Sequence, residues 1–103
     1  GGSQFGNLYR ELDDAAVEAT FAAAWDAGIR YFDTAPHYGL GLSERRLGRL
    51  LAGVPRAEYV LSTKVGRLLE PNPDPDPGQD AEGFAVPATT LPRDFVVRLI
   101  ADA

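Results

Sequence analysis

Apolar positions in the first half of the chain recur with a helical period and then give way to short unbroken runs. Val17, Phe21, Ala24, Trp25 and Gly28 share one face of a 3.6-residue repeat, which predicts an amphipathic helix. Asp13 stands where an N-cap belongs, and Asp14 in the first turn complements the helix dipole. Gly28 takes the position just past the helix end, with Ile29 placed to fold back as its apolar partner. Ile29-Arg30-Tyr31-Phe32 then reads as a short strand that delivers Asp33 at its C-terminal end. A loop follows from Thr34 to Leu42. The second helix is expected to begin with Ser43 as N-cap, bury Leu47, Leu50 and Leu51, and stop at Gly53. Gly48 falls on or beside that face, where a missing side chain would let the helix approach a sheet closely. Tyr59-Val60-Leu61-Ser62-Thr63-Lys64 is β-branched and aromatic, the composition of a second strand.

The order helix, strand, helix, strand is the rhythm of parallel α/β architecture. Gly1–Leu8 is expected to carry the stub of a preceding strand and its loop. Composition changes near Leu69. Pro71-Asn72-Pro73-Asp74-Pro75-Asp76-Pro77-Gly78 cannot sustain a helix or a central strand. The chain therefore divides into βα units over 1–69 and an irregular Pro/Asp-rich tail over 70–103. Within that tail Asp94 is the candidate cap of a short helix carrying Phe95, Val96, Leu99 and Ile100.

Composition narrows the chemistry. With 103 residues there is room for one small domain at most. The chain has no methionine, so it is expected to be a fragment, a processed product or a trimmed piece. It has no cysteine, which excludes a disulfide framework and thiolate chemistry. The formal charge of −5, without a basic stretch, argues against a nucleic-acid surface. No apolar run approaches the roughly 20 residues that span a bilayer, and no leader pattern is present, so a cytoplasmic protein without a membrane partner is expected.

In a right-handed βαβ crossover both strands end at the same edge of the sheet. Asp33 and Lys64 would then meet at the edge where α/β folds build their sites. Lys64 is the only lysine, every other basic side chain being arginine. Spacing alone leaves open whether this is a catalytic pair or an ion pair that closes the sheet edge. Tyr38 sits in the loop returning over that edge. An ammonium near a phenol stabilises the tyrosinate, and Asp33 would keep Lys64 charged and oriented, a trio suited to general acid–base work on a carbonyl or hydroxyl. The competing view of Tyr38 is a loop aromatic covering the second helix.

Three other constellations carry less. Asp33, His37 and Ser43 have the residue types of a hydrolase triad, but Ser43 lacks the G-x-S-x-G elbow. Gly39-Leu40-Gly41-Leu42-Ser43-Glu44 is not G-x-G-x-x-G, and Glu44 would repel a phosphate. His37 is the sole histidine and makes no metal site by itself.

Ala27-Gly28-Ile29-Arg30-Tyr31-Phe32-Asp33-Thr34-Ala35, Tyr38-Gly39, Ser43-Glu44 with Leu47-Gly48, and Ser62-Thr63-Lys64-Val65-Gly66 together resemble the aldo-keto reductase family. The likeness runs from about Gly6 to Arg67. Ala35 to Glu44 looks most like the branch of sugar and pyridoxal dehydrogenases. The resemblance implies the N-terminal part of a (β/α)8 TIM barrel and an NADP- or NAD-dependent oxidoreductase acting on a small carbonyl or sugar substrate. It implies Tyr38 as proton donor or acceptor, Lys64 as the residue that lowers the Tyr38 pKa, and Asp33 as the residue that holds Lys64 and lies near the cofactor's ribose and nicotinamide.

Departures from the family pattern are equally specific. The family's catalytic histidine ends the next barrel strand, whereas His37 precedes the tyrosine. A complete barrel takes about 250 residues, and nothing here corresponds to the main cofactor-binding loops. From Phe95 to Arg98 the sequence departs from the expected polar helix start, as a truncated or frame-shifted reading frame would. Parallel sheets normally need both faces covered. The chain alone is therefore expected to be inactive and poorly folded, to aggregate, or to self-associate through the open barrel face. The rival reading is a non-catalytic α/β fragment or assembly module whose trio is only an inherited ion pair.

Overall fold

The structure, a computed structural model, describes residues 1–71, 80–81, 84–85 and 95–99. Helix α1 spans Asp14–Asp26, strand β1 Tyr31–Asp33, helix α2 Leu42–Leu51 and strand β2 Val60–Ser62. The predicted order of four elements is the observed one, with both strands shorter than expected at their ends.

Local chemistry accounts for α1. The Asp13 carboxylate accepts a 2.7 Å hydrogen bond from the Ala16 amide, satisfying a donor that the first turn would otherwise leave open. At the other end Gly28 adopts φ +93°, its amide donates to the Trp25 carbonyl, and the Ile29 amide donates to the Ala24 carbonyl. Those two bonds make the Schellman closure that the glycine anticipated. Val17 and Phe21 are buried, and Phe21, Trp25 and Phe32 stack with ring centroids 5.2 to 6.4 Å apart. Phe21 and Phe32 join Leu47 and Leu51 of α2 in the main apolar cluster.

Strands β1 and β2 are adjacent and parallel, pairing Tyr31 with Val60, Phe32 with Leu61 and Asp33 with Ser62. The ladder continues through the Thr34 amide to the Ser62 carbonyl at 2.9 Å. Phe32 faces the helices. Tyr31 and Val60 lie on the opposite face, 60% and 53% exposed.

Several expectations need correction. Helix α2 begins two residues earlier, with Gly41 in place of Ser43 as its N-cap, and Ser43 caps nothing. Instead Ser43 is fully buried: its hydroxyl donates to the Gly2 carbonyl at 2.7 Å and shares a 2.8 Å hydrogen bond with the Thr34 hydroxyl. Gly48 is exposed, and a Cβ there would meet nothing within 4 Å, so it serves no close approach to the sheet. Gly1–Leu8 holds a 3-10 turn over Gln4–Gly6 in place of a strand stub, anchored by the Gly2 amide to the Asp33 carbonyl at 2.7 Å.

The short helix expected after Asp94 is a strand. β3 (Arg67–Pro71) pairs antiparallel with β6 (Phe95–Leu99), and β4 (Asp80–Ala81) with β5 (Phe84–Ala85). Five residues carrying Phe95-Val96-Val97 are too few to stabilise a helix and have the composition of a ladder strand. Asp94, Ile100 and the Pro/Asp-rich positions 72–79 lie outside the described residues.

The N-terminal segment is tied down by an arginine. Arg46 is 6% exposed, and its guanidinium donates to Asp14 Oδ1, the Phe5 carbonyl, Asn7 Oδ1 and the Leu12 carbonyl over 2.7 to 3.0 Å. That hydrogen bonding is the main reason the Asp14 carboxyl sits below its ordinary value of 3.8. A depressed folded-state pKa contributes stability that is complete above the unfolded value and lost as pH falls through the folded one. Unfolding free energy should therefore drop between pH 5 and the acid limit, and Asp14→Asn should flatten that slope. Parallel urea titrations check this, and an unchanged slope in the variant would contradict it.

Candidate active site

The edge where β1 and β2 both end gathers the three side chains singled out from the sequence. Asp33 is the last residue of β1 and Lys64 lies two residues beyond β2. Lys64 Nζ donates to Asp33 Oδ2 at 2.8 Å, to Oδ1 at 3.0 Å and to the Thr34 carbonyl at 3.1 Å. Both side chains are partly exposed. Their pairing lowers the Asp33 carboxyl, through Lys64 first and the Ser62 hydroxyl second, and raises Lys64 above its ordinary 10.5, chiefly through Asp33. Lys64 thus stays cationic across the neutral range.

Tyr38 comes from the β1–α2 loop. Its ring centre lies 5.2 Å from Lys64 Nζ, within cation–π range. The loop is a compact series of turns: Tyr38 donates to the Ala35 carbonyl, Gly41 to Pro36, and Ser43 back to the Tyr38 carbonyl. Gly39, Leu40 and Gly41 all take positive φ, which turns the chain sharply after the tyrosine. A cleft of about 440 Å³ opens beside the trio, lined by Ala35, Pro36, His37, Tyr38, Lys64, Val65 and Gly66. His37 lines this cleft as a buried loop residue, and no cluster of metal-ligating side chains occurs among the described residues. Ser43 is turned into its buried hydrogen bonds to Thr34 and Gly2 and forms no triad with His37.

A sequence model of the Aldo/keto reductase family matches residues 1–84. The chain belongs to the aldo/keto reductase family. It is 60% identical over 89 residues to a D-threo-aldose 1-dehydrogenase from Pseudomonas sp, covering 84% of this chain and 27% of that protein. It is 48% identical over 69 residues to a pyridoxal 4-dehydrogenase from Microbacterium luteolum, covering 67% of this chain and 20% of that one. An L-galactose dehydrogenase from Arabidopsis thaliana is 40% identical over 72 residues, 68% of this chain and 23% of the relative. These names support the sugar and pyridoxal dehydrogenase branch within the family. The chain spans about a quarter of the length of these curated relatives. In this aldo/keto reductase segment, the described residues include no helix long and apolar enough to cross a membrane.

Two features of the site went unread in the sequence. Arg46 could have been found, since it lies three residues after Ser43 and beside Leu47 on the predicted buried face of α2. The other is a backbone contact with no local signature. A Cβ on Gly6 would collide with the Tyr38 carbonyl and lie 2.7 Å from the Gly39 nitrogen, while one on Gly39 would strike the Gly6 carbonyl. The 3-10 turn therefore abuts the tyrosine loop with backbone on backbone. Gly6→Ala should destabilise the protein by about 1–3 kcal/mol, the usual cost of overpacking a tight contact. Urea unfolding that shows no loss would mean the two segments can part freely.

Proposed function

We propose that this aldo/keto reductase segment carries the acid–base centre of an NAD(P)-dependent (β/α)8 barrel. The reaction is the interconversion of a carbonyl and an alcohol on a sugar or pyridoxal-like substrate. The observation that carries this reading is the bidentate Asp33–Lys64 pair at the shared strand edge, with the Tyr38 ring 5.2 Å from the ammonium.

In this reading Tyr38 passes a proton to the carbonyl oxygen in reduction and accepts it in oxidation. Lys64 keeps a positive field beside the phenol, which favours the charged oxygen left when the proton departs. Asp33 holds Lys64 in place and, on the family's pattern, would also help hold the ribose–nicotinamide end of a bound cofactor. The cleft beside the trio is mostly apolar and bordered by Val65 and Gly66, which suits a flat nicotinamide ring. When bound, NAD or NADP supplies or accepts the hydride. The family's histidine is not in this sequence, so turnover depends on barrel strands beyond these elements. The cytoplasmic NAD(P)H pool would serve such an enzyme.

The test is a chimera in which the matching segment of the Pseudomonas D-threo-aldose 1-dehydrogenase is replaced by this one. Aldose-dependent reduction of NAD or NADP by the chimera is the expected result. A chimera that melts cooperatively but oxidises no aldose and reduces no carbonyl would overturn the reading.

Tyr31 and Val60 leave one face of the β1–β2 pair exposed, the face that would look into the barrel. We propose that the 103-residue chain by itself associates with further copies through this face. Sedimentation should show a mass that rises with concentration. A constant monomer mass with a sharp melt would refute it.

A further inference from the structure

The open face of the β1–β2 pair carries a second set of polar groups, continuous with the acid–base trio. Tyr31 and Asp33 alternate onto one side of β1, and Ser62 is the register partner of Asp33 on β2. Tyr31 lies opposite Val60, so Ser62 is its diagonal neighbour, a separation that an aromatic side chain spans. The Tyr31 hydroxyl donates to Ser62 Oγ at 3.0 Å, and Ser62 Oγ donates to Asp33 Oδ1 at 2.7 Å. Among the described residues, Asp33 Oδ1 therefore receives two hydrogen bonds, from Ser62 and from Lys64, while Oδ2 receives one, from Lys64.

We propose that Tyr31 and Ser62 are positioning residues of the acid–base centre, forming a hydroxyl relay that fixes the Asp33 carboxylate in the plane where it grips Lys64. The proposal rests on the function given above. A carboxylate bound at both oxygens only by a flexible lysine can rotate with it. A short bond from a hydroxyl on the neighbouring strand ties Oδ1 to the sheet. The lysine then takes its orientation from the sheet and holds its charge at a constant distance from Tyr38. Tyr31 in turn uses its own proton on Ser62 Oγ, which leaves the Ser62 proton to point at Asp33. The described side chains acting on Asp33 are Lys64 first and Ser62 second, and these are the two leading causes of its lowered pKa.

Two measurements on the chimeric barrel test the relay. In the first, carbon-13 NMR follows the Asp33 carboxyl against pH, assigned by its loss in Asp33→Asn. Ser62→Ala should move the titration upward, Tyr31→Phe should move it the same way by less, and Ser62→Thr should restore it. In the second, Ser62→Ala should lower kcat on the order of tenfold to a hundredfold with KM little changed, the pattern of a misplaced catalytic group. An Asp33 carboxyl that titrates alike with and without the Ser62 hydroxyl overturns the relay. So does a kcat that stays unchanged in Ser62→Ala. If the chimera is inactive with Ser62 intact, the functional reading fails, and the NMR titration still decides the relay by itself.

Discussion

Tyr38→Phe in the chimeric barrel is expected to lower carbonyl turnover by about 10²–10⁴-fold, the range that a positioned general acid contributes. The substitution removes one oxygen and leaves the ring over Lys64, so the loop keeps its turns and the cleft its shape. Stability should change by no more than about 0.5 kcal/mol, as for a substitution outside the core. Cofactor affinity, read from quenching or enhancement of nicotinamide fluorescence, should be retained. That combination separates loss of a proton donor from loss of structure. Retention of more than a tenth of the turnover would show that the proton moves by another route and remove Tyr38 from the mechanism. Lys64→Ala should bring a loss of similar order, since it removes the cation beside the phenol and frees Asp33.

The second large effect concerns the fold. Arg46→Ala should destabilise the same barrel by about 3 kcal/mol, because one buried guanidinium serves four acceptors spread along the stretch from Phe5 to Asp14. Those acceptors, on Phe5, Asn7, Leu12 and Asp14, hold the N-terminal turn against α1 and α2. Arg46→Lys should recover little, since an ammonium cannot reproduce the planar fork that reaches all four. Urea unfolding curves measure both. A loss below about 1 kcal/mol in Arg46→Ala would mean that water replaces the guanidinium without cost. The N-terminal turn also abuts Tyr38 through Gly6, so the Arg46 variants should lose turnover as well as stability.

Much of the fold was legible because the relevant forces act over a few residues. The Asp13 cap bonds three residues ahead, and the Gly28 closure uses carbonyls three and five residues behind its donors. The strand order follows from the alternation of helical and extended runs, and the parallel pairing of β1 with β2 follows from the crossover between them. Once the strands are neighbours and parallel, Asp33 and Lys64 must end at one edge. Their contact is thus a consequence of topology that spacing could reach. Tyr38 follows Asp33 closely enough to return over the same edge.

What the sequence by itself determined, then, is the set of elements bounded by local caps, the order of the strands, the meeting of Asp33 with Lys64, and a family pattern dense enough to be recognised. Tertiary structure alone decided the environment of each polar group. Ser43 has the chemistry of an N-cap, yet its hydroxyl bonds Gly2, 41 residues away, because burial left it no water and a carbonyl was at hand. Arg46 reads as a charged helix residue until Phe5 and Leu12 arrive to accept from it. The run after Asp94 became β6 because β3 offered a ladder that five residues could not replace with helical bonds. The Tyr31–Ser62–Asp33 chain required the register of two strands separated by a whole helix. Capping and periodicity are written within one or two turns of chain. The partner of a buried donor is chosen by packing, which brings together residues whose separation leaves no mark on either neighbourhood.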